Sequence, residues 1–367
     1  MKIGINATFL GEKPTGVGVF TREISRALFL LHKEIVFYSS VPHTDMPPIS
    51  VHKVSDVMRG SPRLLNNLIR MVYTNIALPL RCKLSDVDVL YCPITEFPFL
   101  PSVPLVVHVQ DLHPVHFPSQ FGLAASRLRL SLKIMDKVAK RVIVSSEFVK
   151  RELTGLTNIS DALIDVVPLA YSGDVFKPMP VEMKKDFLDR YSVTGGYILF
   201  VGTLFPYKNL KTLINAFLSI KSRIPHSLIV VGRREFSAGL PAGEGRIVYL
   251  DYVQTEDLPF FYSYADVFVY PSLREGFGIS PLEAMACGAP VISSNGGSLP
   301  EVLGNAGVLF DPEDGGMLAT LILSVLQDEK LRRELIDKGL THVKKFSWRR
   351  TAEGIISSCE KAVKGRG

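Results

Sequence analysis

Two glutamates, Glu275 and Glu283, lie eight residues apart on either side of a Gly-Phe-Gly turn at 276–278. A strand-like apolar run at 265–270 precedes the turn, and a helical pattern opened by a Ser-Pro pair at 280–281 follows it. Two carboxylates at separate depths can each accept hydrogen bonds from vicinal hydroxyls, and free N–H groups at a helix start attract an anion. The combination suits a nucleotide sugar, whose diphosphate lies between a hexose and a ribose. By spacing alone, an ordinary turn with two solvated glutamates is equally compatible, because one Gly-x-Gly is a weak signal.

The segment 275–292 resembles the Glu-x7-Glu signature of retaining glycosyltransferases of family 4, and further matches reach from Gly16 to the last helix. The resemblance implies an α/β protein with the GT-B fold: two facing Rossmann-like domains with parallel sheets and an inter-domain cleft. It implies that Glu275 contacts the donor hexose and that Glu283 holds the ribose. Backbone N–H groups would contact the diphosphate and the sugar at Phe277, Gly278 and Ile279.

A second glycine loop, from Thr15 through Gly16, Val17 and Gly18, follows the first strand and opens a helix. It lacks the third glycine of the dinucleotide fingerprint. A plain β–α turn explains it equally well on its own. Beside the family's Gly-x-Gly loop, we expect its N–H groups to reach the donor diphosphate across the cleft.

The stretch 106–118 ends a strand and enters a loop, which is where sites collect in α/β proteins. It resembles the family's His-Asp-Leu segment, with Gln110 in place of the histidine and Asp111 retained. Gln110 can donate a hydrogen bond to a sugar hydroxyl, but it cannot carry a charge. His113 and His116 are near enough in sequence to substitute, although a hydrogen-bonded loop histidine is the commoner role.

The stretch 197–210 resembles the opening strand and phosphate clamp of the family's second domain. Thr203 and Tyr207 stand where many relatives have arginine, whereas Lys208 is retained. A lysine opposite a departing diphosphate stabilises the developing negative charge. The missing arginine leaves that role to Lys208, helix dipoles and three further arginines, at 233, 234 and 274. Arg233 is the one that we assign to donor binding.

Val253 lies in a loop that flanks the nucleobase in the family, and its backbone groups could contact a base edge. Asp86 and Asp88 form an Asp-x-Asp, a metal motif in glycosyltransferases of the other major fold. Here the pair precedes a strand, so acids in a turn are the favoured interpretation. No other cluster has metal-ligand spacing. We therefore expect no metal and no cofactor.

Short β-branched runs alternate with helical patterns along the whole chain, which predicts βαβ units and parallel sheets. Strands are predicted at 2–8, 35–39, 88–92, 104–109, 141–145, 164–167, 197–202, 227–232, 247–250, 266–270, 290–293 and 307–310. Helices are predicted at 18–31, 62–82, 121–139, 146–153, 182–191, 209–223, 255–264, 281–287, 315–327, 329–344 and 348–363. We expect an acceptor-binding domain over 1–175, a nucleotide-sugar-binding domain over 176–346, and a last helix over 347–367 that crosses back to the first domain.

The 367 residues are 47% hydrophobic and 21% charged, as in an ordinary two-domain globular protein. No apolar run reaches transmembrane length, and the chain opens on a strand-like pattern rather than a signal peptide. The cysteines show no paired spacing, which favours free thiols at 82, 92, 287 and 359. These features predict a cytoplasmic protein.

The net charge of +6 is uneven. Residues 1–180 hold 20 Lys and Arg against 15 Asp and Glu, and the remainder holds 22 against 21. Basic helical patterns over 59–83 and 121–151 suit an anionic surface, although such runs are more often solvated helix faces. Because the family often acts on lipid-linked acceptors, we expect peripheral binding to the inner face of the cytoplasmic membrane, and no nucleic-acid role.

Together these patterns predict a metal-independent, retaining hexosyltransferase for cell-surface polysaccharide or glycolipid synthesis. The donor is expected to be GDP-mannose, with UDP-hexoses as the alternative, and the acceptor a glycan or lipid-linked hydroxyl. Two other classes stay open at this point. A nucleotide-sugar epimerase of the same architecture would turn over donor without an acceptor, and a sugar- or nucleic-acid-binding protein would show no turnover.

Overall fold

The computed structural model describes residues 1–10, 16–39, 50–53, 63–233 and 246–365, with the backbone alone at 50–53 and 63–67. The chain divides into two compact units. The first comprises Met1–Leu169 with Trp348–Gly367, and the second comprises Ala170–Ser347. The domain boundaries predicted from the sequence were at 175/176 and 346/347.

The first unit contains a seven-stranded parallel sheet of order β3-β2-β1-β4-β5-β6-β7. The strands are β1 Ile3–Ala7, β2 Ile35–Ser39, β3 Ser50–Lys53, β4 Val89–Cys92, β5 Leu105–Val109, β6 Arg141–Val144 and β7 Ile164–Val166. Strand β3 was not predicted, because its Ser-Val-His-Lys sequence has no apolar run and it pairs with β2 alone, at the sheet edge. The predicted parallel α/β arrangement is confirmed.

The helices of this unit, in chain order, are α1 Gly16–Leu31, α2 Arg63–Val72, α3 Leu78–Leu84, α4 His113–His116, α5 Pro118–Phe121, α6 Leu123–Val138 and α7 Glu147–Leu156. The single helix predicted over 62–82 is interrupted by a π-helical turn, Tyr73–Ala77, between α2 and α3. Such turns widen a helix locally and often occur at functional sites. Helices α4 and α5 were not predicted, because each is only four residues long and so short a segment shows no helical periodicity.

The second unit contains a six-stranded parallel sheet of order β10-β9-β8-β11-β12-β13. Its strands are β8 Tyr197–Val201, β9 Ser227–Val231, β10 Ile247–Leu250, β11 Val267–Tyr270, β12 Val291–Ser294 and β13 Val308–Phe310. Its helices are α8 Lys184–Arg190, α9 Leu210–Ile220, α10 Leu258–Tyr264, α11 Ile279–Ala286, α12 Leu299–Leu303, α13 Gly315–Gln327 and α14 Glu329–His342. The five-residue α12 was not predicted.

The last helix, α15 Trp348–Lys364, packs against α1 and against β4, β5 and β6 of the first unit. Thr351 of α15 donates a hydrogen bond to the carbonyl oxygen of Pro168 over 2.8 Å. Lys361 contacts Asp165 over 2.7 Å, and Arg141 contacts the same carboxylate over 2.6 Å. The final helix therefore completes one face of the first sheet.

The strand orders define where each sheet can hold a ligand. In the first sheet the direction of winding reverses between β1 and β4, and in the second it reverses between β8 and β11. Loops diverge at such a point, so a crevice opens at the carboxyl ends of the strands. Among the described residues, no helix is long and apolar enough to cross a membrane.

Candidate functional site

A buried ion pair lies at the reversal point of the second sheet. Lys208 follows β8, Glu275 follows β11, and the lysine Nζ is 2.6 Å from Oε1 of Glu275. The same Nζ is 2.6 Å from the hydroxyl oxygen of Tyr270, the last residue of β11. Lys208 is 8% exposed and Glu275 is 5% exposed. The structure therefore brings together two of the predicted site residues and adds Tyr270, which the sequence did not single out.

Backbone and amide hydrogen bonds hold the two loops against each other. Lys208 ends a short 3₁₀ turn, and the next residue, Asn209, adopts a left-handed conformation with φ 56°. The side-chain amide of Asn209 donates to the carbonyl oxygen of Pro271 over 3.1 Å and to that of Pro312 over 2.8 Å. Leu273 donates its N–H to the carbonyl oxygen of Tyr207 over 2.8 Å. The ion pair thus lies between segments that are fixed by their own backbone.

A glycine pair after β12 supports Glu275 from the other side. Gly297 has φ +71°, and a Cβ added there would lie 2.3 Å from the carbonyl oxygen of Glu275. Ser298 donates its N–H to that same oxygen over 3.0 Å. A Cβ on Gly296 would lie 2.6 Å from the carbonyl oxygens of Ser272 and Leu273. Only glycines permit this approach of the two loops.

Helix α11 begins two residues earlier than predicted. Its N-cap is Gly278, with φ +95°, and its first helical residue is Ile279. The sequence assigned the cap to Ser280, which instead lies inside the first turn. The cap position has no room for a side chain, since a Cβ on Gly278 would lie 2.6 Å from the Leu299 side chain. The Phe277 side chain is buried and packs edge-on against Phe346, so its backbone is the part that could meet a ligand.

Glu283 lies in α11, eight residues after Glu275, and its environment differs from that of the Lys208–Glu275 pair. Its Oε2 accepts a hydrogen bond from the Tyr262 hydroxyl over 3.2 Å. Burial raises the pKa of Glu283 to about 7, and the Tyr262 hydrogen bond opposes that shift. This carboxylate therefore changes charge near neutral pH.

The remaining predicted donor residues of the second unit follow the strand ends. Thr203 is exposed after β8, and Arg233 is exposed after β9, with its guanidinium carbon 6.0 Å from the centre of the Tyr252 ring. Val253 is buried at 7% exposure. No hydrogen bond or ion pair within the described residues joins these three to the Lys208–Glu275 pair, so their roles stay predictions. Arg234 lies outside the described residues.

In the first unit, the predicted glycine loop becomes the start of α1. Gly16 is exposed, Gly18 is buried, and the carbonyl oxygen of Val17 accepts a hydrogen bond from the Thr21 hydroxyl over 2.9 Å. Thr15 lies outside the described residues. Val17 also lines a cavity, which connects this loop to the predicted Gln110 and Asp111.

That cavity has a volume of about 320 Å³ and lies where the first sheet's strands end. Its polar lining includes Gln110 and Asp111, together with Thr74 and Asn75 of the π-helical turn. Aromatic and aliphatic side chains complete its walls, among them Met71, Phe97, Phe99, Leu128 and Leu130. An apolar cavity with a few converging polar groups is typical of a small-molecule site.

Gln110 and Asp111 are each partly committed to the fold. The amide nitrogen of Gln110 donates to the carbonyl oxygen of Pro93 over 3.0 Å. Asp111 Oδ1 accepts the backbone N–H of His113 over 3.0 Å and lies 3.1 Å from Nδ1 of the same residue. His116 lies 2.5 Å from the carboxylate of Glu152. Both nearby histidines therefore have carboxylate partners.

Two groups in this cavity were not predicted as site residues. Glu96 accepts hydrogen bonds from Arg70 and from Arg127, each over 3.1 Å. His108, on β5, is buried, and its Nδ1 is 2.9 Å from the Tyr91 hydroxyl. Strand periodicity could have identified His108, because it is two residues from Gln110 and side chains alternate along a strand.

The Asp-x-Asp pair forms a turn between α3 and β4. Asp86 is exposed with φ 50°, and Asp88 accepts a hydrogen bond from the backbone N–H of Lys2 over 2.7 Å. Within the described ranges, no three His, Cys, Asp or Glu side chains cluster closely enough to hold a metal ion. The four cysteines are free and buried.

Comparison with known sequences gives one family match, "Glycosyl transferases group 1", over residues 191–342. O-antigen chain mannosyltransferase B of Escherichia coli is 40% identical over 220 residues, which are 57% of this chain and 58% of that protein. O-antigen chain mannosyltransferase RfbU of Salmonella typhimurium is 26% identical over 326 residues, 84% of this chain and 87% of that protein. This chain spans 58% of the first relative's length, and 28% of a serotype-specific mannosyltransferase WbdA of E. coli.

Comparison with solved structures shows the fold. HepE of Anabaena in complex with UDP-glucose has a TM-score of 0.76 and 20% identity, covering 98% of this chain and 99% of that one. WaaG, a glycosyltransferase involved in lipopolysaccharide biosynthesis, has a TM-score of 0.73 and 15% identity, covering 97% and 99%. Both likenesses extend over both units of the chain.

Proposed function

We propose that this chain, whose residues 191–342 match the family described as glycosyl transferases group 1, transfers mannose from a nucleotide-diphospho-sugar to a glycan hydroxyl in cell-surface polysaccharide synthesis. The observation that carries the proposal is the buried Lys208–Glu275 pair at the sheet's reversal point. The names of the two O-antigen relatives favour mannose as the transferred sugar. GDP is our choice of nucleotide, with UDP as the alternative.

Each member of the ion pair suits one part of the donor: Lys208 suits the diphosphate, and Glu275 suits the hexose. Lys208 is held at Nζ by a carboxylate and a phenol, so its charge is oriented before any donor binds. Such a preorganised cation stabilises the negative charge that develops as the diphosphate leaves. The pair engages Oε1 of Glu275, and in this proposal Oε2 would accept a hydroxyl of the donor hexose. Burial strengthens both interactions, because water competes less.

Glu283 and α11 suit the nucleotide. The free N–H groups at the start of α11 would bind the diphosphate, as helix starts do. Glu283 would accept hydrogen bonds from the ribose hydroxyls. Tyr262, which already donates to Oε2, would fix the carboxylate's orientation.

We propose that the reaction retains the anomeric configuration by transfer on the same face of the sugar. In this scheme the departing phosphate accepts the proton of the acceptor hydroxyl. The protein contributes orientation of the two substrates and electrostatic stabilisation of the leaving group. Lys208 would supply the positive charge at the phosphates, so we propose that catalysis needs no metal.

The acceptor is proposed to be a glycan, free or lipid-linked, bound by the first unit, with anionic lipid as an additional partner. Helices α2 and α3 with the π-helical turn expose aliphatic side chains at Leu68, Val72, Ile76, Leu80 and Leu84. Helix α6 exposes Arg129, Lys133 and Lys137. Apolar and cationic groups of this kind favour reversible association with an anionic surface.

The test combines donor binding with product analysis. The melting temperature is measured with GDP, UDP and their mannose and glucose conjugates, because a ligand of the native state raises stability. The stabilising sugar nucleotide is then incubated with a mannan oligosaccharide, and the new linkage is assigned by NMR. We expect GDP-mannose to stabilise the protein and to give an α-mannoside, in the presence of EDTA. Stabilisation by UDP alone would reassign the donor, a β-mannoside would overturn retention, and donor turnover without an acceptor product would indicate an epimerase.

A further inference from the structure

We propose that His108 binds the acceptor sugar, by donating a hydrogen bond from Nε2 to an oxygen of a hexopyranoside in the first-unit cavity. The inference rests on the proposed function and deepens it, since it assigns an acceptor-recognition residue and a ligand class to that cavity. It is carried by one buried, unsatisfied nitrogen and by the groups around it.

His108 is the second-to-last residue of β5, which ends at Val109. The side chain is 0% exposed, and it is one of the residues that line the 320 Å³ cavity. Its Nδ1 is 2.9 Å from the Tyr91 hydroxyl, and Nε2 has no hydrogen-bond partner in the described part of the chain. The ring of Phe20 packs edge-on against the imidazole at 5.3 Å between centroids. The imidazole orientation is therefore fixed from two sides.

The Tyr91 contact determines which nitrogen carries the proton. Burial raises the pKa of Tyr91, so its hydroxyl keeps its hydrogen, and burial lowers the pKa of His108 to about 3, so the imidazole is neutral. Tyr91 is also 0% exposed, and His108 is its only hydrogen-bond partner among the described residues. A buried hydroxyl rarely leaves its hydrogen unused, so Tyr91 donates to Nδ1. The imidazole hydrogen must then be on Nε2.

An N–H that is buried without an acceptor is unfavourable, and a ligand that supplies an oxygen removes that cost. This makes Nε2 selective for a hydrogen-bond acceptor. A sugar has such oxygens in its hydroxyls and its ring. The imidazole is neutral, so it provides no reason to select an anion.

The other groups in the cavity suit a hexopyranoside. Gln110 is two residues along from His108, and one amide N–H is occupied by Pro93, which leaves its oxygen and second N–H for a ligand. Asp111 supplies a carboxylate that can accept from a hydroxyl. Phe97 and Leu128 supply apolar surface for the C–H face of the ring. Donor, acceptor and apolar wall are the set that vicinal hydroxyls on a pyranose require.

The charges at the cavity are mostly neutralised, which also favours a neutral ligand. Glu96 lies between Arg70 and Arg127 and accepts from both guanidiniums. With Asp111, which also lines the cavity, two carboxylates balance the two guanidiniums, and the Arg127 side chain is 47% exposed, so water screens much of its charge. We therefore assign the ligand by its hydroxyl pattern.

The first experiment determines by NMR which nitrogen of the His108 imidazole carries the proton. The chain has eight histidines, and His108 is assigned in the ring-¹⁵N spectrum as the signal lost in His108→Gln. We expect it to be protonated at Nε2 and not to titrate between pH 6 and 8. Methyl α-D-mannopyranoside or methyl N-acetyl-β-D-glucosaminide, added without nucleotide, is expected to shift the Nε2–H proton, whereas GDP is not. If neither glycoside shifts it, or if Nδ1 carries the proton, the proposal is overturned and water satisfies Nε2.

The second experiment separates acceptor binding from donor chemistry. His108→Leu is expected to raise the acceptor KM at least 10-fold, while GDP affinity and hydrolysis of the donor by water stay within 2-fold. Tyr91→Phe, which removes control of the tautomer, should raise the acceptor KM about 3-fold, and His108→Gln should restore part of the loss because its amide still donates. A folded His108→Leu variant with a wild-type acceptor KM would contradict the assignment. Absence of transfer from every nucleotide sugar, with the glycoside shift intact, would instead contradict the proposed function.

Discussion

Lys208 and Glu275 are 67 residues apart in the chain, and their charged atoms lie 2.6 Å apart in the interior of the second unit. The lysine reaches the carboxylate from the loop after β8, and the glutamate lies in the loop after β11. These two strands are neighbours, although they are separated by two other strands in sequence. The pair therefore exists only because the sheet reverses its winding here, and it links the fold directly to the proposed chemistry.

Removing one partner of this pair should affect both stability and turnover. Lys208→Met leaves a buried carboxylate without its counter-charge, which typically costs about 3–5 kcal/mol. We expect the urea midpoint to fall accordingly and transfer to fall below detection. Denaturation curves with an unchanged m-value are the measurement.

The double variant Lys208→Met/Glu275→Gln is the matched control. It removes both charges, so it should recover much of the stability lost in Lys208→Met while remaining inactive. A double variant that is less stable than both single variants would show that the charges do not interact. Activity in the double variant would contradict the proposed roles.

Glu283 should make nucleotide binding depend on pH. Its pKa is raised to about 7 by burial, so the site gains a carboxylate charge as pH rises through 7. Ribose hydroxyls donate more strongly to the ionised form. We expect GDP affinity, measured by calorimetry, to increase from pH 6 to pH 8. Glu283→Gln should abolish this dependence and weaken binding at pH 8 by roughly 1.5–3 kcal/mol.

The same shift predicts how stability depends on pH. The folded pKa of about 7 lies above the ordinary value of 4.5, so between these pH values the folded state holds a proton that the unfolded chain has lost. Stability should therefore fall as pH rises from 4.5 to 7 and then level off, by at most roughly 3 kcal/mol at about 1.4 kcal/mol per pKa unit. The Glu283→Gln variant should lack this contribution. A wild-type slope in that variant would assign the titration to another group.

Gly297→Ala should disturb the Glu275 loop. Its φ of +71° is strained for alanine, and the added Cβ would lie 2.3 Å from the Glu275 carbonyl oxygen. We expect a loss of stability beyond the roughly 1–2 kcal/mol of a left-handed residue, together with a lower transfer rate. Gly195→Ala is the control, because its φ is +76° and no described atom lies within 4 Å of its added Cβ. Equal effects of the two substitutions on activity would show that the loop contact does not position Glu275.

Charge reversal on α6 tests the proposed membrane partner. Arg127 is unsuitable because it pairs with Glu96 and lines the cavity, so the variant is Arg129→Glu with Lys133→Glu and Lys137→Glu. Sedimentation with vesicles containing phosphatidylglycerol should decrease in this variant and in high salt, since each cation near the surface contributes about 1 kcal/mol. Reversal of Lys185, Lys211 and Lys221, exposed cations of the second unit, should have a smaller effect. Equal binding to neutral vesicles would exclude the electrostatic part of the proposal.

Much of the fold could be predicted from the sequence, because it depends on local patterns. Buried parallel strands appear as short β-branched runs, and helices appear as amphipathic repeats, so most elements were placed to within a few residues. What could not be predicted has little local signal. The edge strand β3 carries no apolar run, and the π-helical turn at 73–77 occurs inside an otherwise regular helical pattern.

The site residues show the same distinction between what local sequence predicts and what tertiary contacts decide. Glu275, Glu283 and Lys208 were named from sequence because each lies in a segment that resembles a motif of family 4 glycosyltransferases. That Lys208 pairs with Glu275 and Tyr270, and that Gly278 rather than Ser280 caps α11, was decided by tertiary contacts. His108 is the clearest case, since in sequence it is one polar residue within an apolar strand. Its assignment needed the Tyr91 hydroxyl, 17 residues away, to fix the proton on Nε2. Residue types are local information, whereas the state of a buried proton depends on which side chains the fold brings within hydrogen-bond distance.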